Sequence, residues 1–202
     1  TSGTCSGTAV AGGSYTCTYT NSLGFTLYLH NRGYQPSDAT LAMADMPMDF
    51  VIPTNTGTLP NYDTTYDANP GRLVLESAVA DPLQSNLQYY ANWVHSGFAS
   101  NFVIQAGATA VLRIWEANAT AGGTVVLQVY VRDCPAGGPQ TSCVVIAQAG
   151  PLSFIGGAQA GSWTQQDIGL TFATGRTVQV GRVLEVKIVV HPDSTRDVWL
   201  GY

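Results

Sequence analysis

Apolar and polar residues alternate with a period of two along most of this chain. In residues 25–30, Phe25, Leu27 and Leu29 fall on one side and Thr26, Tyr28 and His30 on the other, the signature of a half-buried strand. The same pattern predicts strands over 15–20, 48–52, 72–77, 87–94, 101–105, 109–115, 124–132, 143–148, 163–172, 182–190 and 196–202. Between them lie turn formers: Gly122-Gly123, the run Pro135 to Pro139, Gly156-Gly157 and Asp193-Ser194. Short strands broken at that frequency predict an all-β fold, an antiparallel β-sandwich of jelly-roll type. Helix should be scarce, because β-branched residues dominate and no stretch holds a 3.6-residue period between two caps. The segment 37–46 offers at most one short helical turn.

With no Pro/Ser linker, tandem repeat or low-complexity tail, residues 1–202 read as a single domain. Its texture changes along the chain. Residues 1–14 form a flexible polar segment, 15–95 a loop-rich elaboration, and 101–202 a run of clean strands with short loops. Function sits on loops more often than on strands, which directs attention to 55–71.

Charge is sparse: Lys and Arg total 8 and Asp and Glu 13 among 202 residues, and Lys187 is the single lysine. An ordinary domain is about one quarter charged. A surface carried by Thr, Ser, Asn, Gln, Gly and Tyr suits an extracellular, surface-displayed protein. The arginines are scattered singly and the net charge is −5, so the clustered cations that nucleic acid demands are missing. The longest apolar runs, such as Ile188-Val189-Val190, fall far short of the roughly 20 residues that span a bilayer. The chain opens at Thr1 without a basic or apolar leader, which fits a processed or excised piece.

The four cysteines form two local pairs, Cys5 with Cys17 and Cys134 with Cys143, each spanning Gly-, Ser-, Pro- or Thr-rich sequence. Zinc sites use closely spaced pairs of the C-x2-4-C kind, whereas this spacing suits two disulfides closing short loops in an oxidising compartment. Other connectivities of four cysteines stay open.

From Ala110 onward the chain resembles the galactose-binding-like jelly rolls of secreted carbohydrate-binding modules. The stretches that carry the likeness are 110–117, 124–133, 161–172, 180–190 and 196–202, with Trp163-Thr164 opening a long strand and Trp199 near the end of the closing one. The resemblance covers about 90 residues and implies the fold; it carries over no ligand-binding residue.

Two constellations could carry chemistry. The loop 61–71 gathers Asp63, Asp67, Asn61 and Asn69, hard oxygen donors of the kind Ca2+ takes. Asp63, Asp67 and Asn69 are the candidate ligands, and a structural Ca2+ is the one cofactor the chain suggests. Tyr62, Tyr66, Tyr90, Asn92 and Trp93 could form a sugar platform of aromatic faces with an amide beside them. Alternation puts Trp93 and Ala91 on one face of their strand and Tyr90 and Asn92 on the other.

Catalytic groupings are weak. His30, His95 and His191 stand far apart, no G-x-S-x-G occurs, and a glycosidase carboxylate pair would have to draw on Glu76, Glu116 or Glu185. Glu116 and Glu185 are expected to face solvent from their strands. Asn118-Ala119-Thr120 matches the N-glycosylation sequon at a predicted turn. The expectation is therefore a non-enzymatic structural or adhesive cell-surface module, a self-assembling fibre subunit being one form of it. It would associate with itself or with other surface proteins, and not with nucleic acid or across a membrane. A glycan-binding module is the alternative.

Overall fold

A computed structural model describes residues 25–29, 46–50, 72–75, 81–83, 89–95, 97–118, 122–158, 163–195 and 198–201. The strands are β1 (Tyr28–Leu29), β2 (Met46–Asp49), β3 (Arg72–Leu75), β4 (Tyr90–His95), β5 (Phe102–Ile104), β6 (Ala108–Asn118), β7 (Thr124–Pro135), β8 (Val144–Ile155), β9 (Gly157–Ala158), β10 (Thr164–Phe172), β11 (Arg176–Val178), β12 (Arg182–Val190) and β13 (Val198–Gly201). The described residues contain no α-helix, only a 3-10 turn at Gln140–Ser142.

Strands pair in a nested order. The β7–β8 hairpin is innermost; β6 pairs with β10, β4 with β12 and β3 with β13, all antiparallel. This wrapped-hairpin order is that of a double-sheet jelly roll. One sheet runs β1-β2-β4-β12-β7-β8 and the other β10-β6-β13-β3, with β5 and β11 paired separately. The expected all-β antiparallel sandwich is thus the fold, although β3 and β4 come from the loop-rich first half.

The core fills from the inward positions of both sheets. Trp93, Leu127, Val129 and Ile188 from the first meet Ile114 and Leu200 from the second, and all six are fully buried. Residues of this size contribute about 1.5–3 kcal/mol each on burial. The β7 and β12 strands are buried on both faces over almost their whole length. Among the described residues β8 lies at the sheet edge, pairing only with β7, and Pro151 sits within it as an edge position allows.

Cys134 and Cys143 are joined in a disulfide that closes the loop around the 3-10 turn, as their spacing predicts. Cys5 and Cys17 lie outside the described residues, as do the loop 55–71, the strand predicted over 15–20 and all of the segment 37–46 but Met46, which opens β2.

Candidate functional site

The outward face of the six-stranded sheet should be wet, yet its centre is dry. Register sets Lys187 between Asn92 on β4 and Tyr130 on β7, with Glu185 beside Arg132 one step along. Asn92, Arg132 and Glu185 are each 1% exposed and Lys187 is 0% exposed. A side of β12 expected to face solvent is therefore covered, and part of the cover is the segment 81–83.

Hydrogen bonds tie this face together. The Arg132 guanidinium donates through Nε to Glu185 Oε1 at 2.7 Å, and its Nη2 also bonds Glu185 Oε1 and Gln140 Oε1. Its Nη1 donates to the Pro82 carbonyl at 2.6 Å, and Lys187 Nζ reaches the same carbonyl at 3.2 Å. Asn92 Nδ2 donates to the other carboxylate oxygen, Glu185 Oε2, at 3.1 Å. Lys187 Nζ sits 4.0 Å from the centre of the Tyr90 ring, a cation–π contact. Burial and then the Asp81 carboxylate push the Tyr130 phenol above its ordinary range, while Arg132 works against both.

Tyr90 and Asn92 belong to this cluster, whereas Trp93 points the opposite way into the core, as alternation predicts. All three are buried, so the sugar platform expected of them is not open to solvent: the chain's own segment lies over one face and the second sheet over the other. Tyr62, Tyr66, Asp63, Asp67 and Asn69 lie outside the described residues.

Glu116 and Glu185 are corrections to the expectation of solvent-facing strand positions. Glu116 points between the sheets at 0% exposure; Gln166 Nε2 donates to its Oε1 at 3.1 Å, while Oε2 has no hydrogen-bond partner. Burial holds this carboxyl above its ordinary range, against the Gln166 hydrogen bond. The six-stranded sheet separates it from Glu185, so these two do not form a hydrolytic pair. Asn118 of the sequon is likewise wholly buried, on the last position of β6 rather than on a turn.

Three other groupings of ionisable residues stand apart from this cluster. Asp133, 0% exposed, is held by Arg176 Nε at 2.7 Å, and its carbonyl by Arg182 Nη2 at 2.9 Å. This clamp fixes the start of β12 and the β11 strand against β7. Arg113 and Asp167 pair on the exposed face of the other sheet at 2.7 Å.

His95 stacks on Phe98 at 4.4 Å, with Phe50 edge-on at 5.4 Å, and burial lowers its pKa against the opposing effect of Asp49. It pairs with Leu184 near the start of β12, while His191 follows the end of that strand, so those two histidines do not converge. The sulfurs of Cys134 and Cys143 lie within 4.8 Å of a Glu185 carboxylate oxygen; bonded to each other, they offer no thiolate to a metal.

Sequence reasoning missed Arg132, Glu185 and Lys187. The available signal was Val183 and Val189 flanking the two charges on the same face of β12, because a strand apolar on both sides is one covered on both sides.

No protein-family model and no curated protein matches the chain. Among solved structures, it is similar to an aminopeptidase from the marine sediment archaeon Thaumarchaeota archaeon, with 9% identity, a TM-score of 0.49 and coverage of 86% of this chain. The chain spans 34% of that protein's length. A likeness at that level bears on neither fold nor activity.

Proposed function

We propose that this chain is a structural module of an extracellular assembly, non-enzymatic and joined to its neighbours through a sheet edge. The observation that carries the reading is the fate of its charge. In a chain so poor in ionisable groups, Arg132, Asp133, Glu185 and Lys187 are buried and bonded within the sandwich and its cover. Groups committed in this way hold strands in place; a hydrolytic site needs a carboxylate or nucleophile open to substrate. The Cys134–Cys143 disulfide suits an oxidising compartment. Among the described residues no helix is long and apolar enough to cross a membrane.

The edge strand β8 is the proposed joint. Val144 and Val145 at its start are 41% and 39% exposed, and an edge that is unpaired among the described residues and carries apolar side chains is a template for an added strand. The polar segment 1–14 is the proposed donor. Val145→Lys should abolish assembly by placing a charge on the joint, and deletion of 1–14 should do the same. Assembly that survives both changes would overturn strand addition as its mechanism.

A carbohydrate-binding module is a second reading, favoured by one exposed aromatic group. Phe25 and Phe50 are 45% and 53% exposed and pack edge-to-face at 5.7 Å. Sugar rings stack on such faces. Binding of a glycan array that Phe50→Ala abolishes without unfolding would support this reading over the first.

A further inference from the structure

We infer that Lys187 and Asn92 react to form an amide bond between their side chains, with Glu185 carrying the proton. The inference is independent of the assembly reading and rests on three residues of the covered sheet face.

Lysine is among the residue types least often fully buried. Here the only lysine of the chain is 0% exposed at the centre of a sheet. It lies directly opposite Asn92 in the antiparallel β4–β12 pair, a position where facing side chains start about 4.5–5.5 Å apart. Its amine leans toward β4: Nζ stands 4.0 Å from the ring centre of Tyr90, two residues before Asn92 on that strand. Asn92 is 1% exposed, and its Nδ2 donates to Glu185 Oε2 at 3.1 Å. Arg132 occupies the other oxygen of the same carboxylate, which fixes Oε2 toward the amide. Amine, amide and proton carrier are therefore gathered on one dry face.

The reaction exchanges one amide for another. The Lys187 amine attacks Cγ of Asn92, a bond forms from Nζ to Cγ, and the Cγ–Nδ2 bond breaks. One amine proton passes by way of Glu185 to Nδ2, which leaves as ammonia; nothing is oxidised or reduced. A carboxamide resists amines in water, but holding the two groups in one geometry is worth effective concentrations of about 10⁵ M or more. The product joins two central strands and replaces a buried amine by a neutral amide.

Intact-mass spectrometry of the full chain, denatured with its disulfides reduced, tests this. The bond predicts a mass about 17 Da below that of the sequence, the loss of one ammonia, with a branched peptide joining Asn92 to Lys187 in the digest. Lys187→Arg should carry its full sequence mass, and so should Glu185→Gln. A wild-type chain at full mass, or a loss that maps to an asparagine other than Asn92, would overturn the bond. Loss retained in Glu185→Gln would overturn the role of that carboxylate. The wild-type mass decides the bond even if a variant fails to fold.

Discussion

Replacing Arg132 by methionine tests whether the covered sheet face is held by its ion pair. The change keeps most of the side-chain volume and removes every donor. Glu185, 1% exposed, would lose its guanidinium while staying buried, and stranding one partner of a buried pair costs about 3–5 kcal/mol. The Pro82 carbonyl would keep the Lys187 bond and Gln140 is only half-buried, so these add less than about 1 kcal/mol together. The expected loss is about 4 kcal/mol, a large share of the 5–15 kcal/mol typical of a domain. Urea unfolding followed by tryptophan fluorescence would read it, since Trp93 is fully buried. Arg113→Ala is the control: its pair with Asp167 stands in solvent, with side chains 57% and 44% exposed, and the midpoint should not move. A loss below about 1 kcal/mol for Arg132→Met would refute the claim that this face excludes water.

Three further outcomes are expected. Burial raises the Glu116 pKa in the folded state, so the stability this group contributes is complete below its unfolded pKa of about 4.3 and is lost as pH rises through the folded value; Glu116→Gln should flatten that limb of a stability–pH curve. Cys134→Ser with Cys143→Ser should cost about 2.6 kcal/mol by calorimetry, the loop-entropy value for a sequence separation of 9. Gly156→Ala should destabilise by about 1–3 kcal/mol, because its Cβ would stand 2.7 Å from Asn118 Cγ and 3.1 Å from Val125 Cγ2; thermal melting at an unchanged temperature would contradict the packing at that corner.

The strands of the second half were legible because their alternation is clean. Residues 182–190 coincide with β12, and the turn formers at Gly122-Gly123 and 135–139 mark the ends of β7. Bounds slipped where tertiary pairing extends a strand beyond its pattern: β8 continues through Pro151 to Ile155 by pairing with β7, past the expected end at 148. The polar cluster was not legible for a related reason. Its cover comes from Pro82, 105 residues before Lys187, and alternation within a strand reports two faces without saying what lies on either. The same limit hid Glu116, whose position reads as polar although its side chain points between the sheets. The loop 61–71 and Cys5–Cys17 fall outside the described residues, so the calcium and second-disulfide expectations rest on the sequence alone.

Electron microscopy of the purified chain, paired with its mass in solution across a concentration series, tests the assembly reading most directly. Ordered filaments or one defined large oligomer is the predicted result; a monomer of 21.3 kDa at every concentration would contradict it.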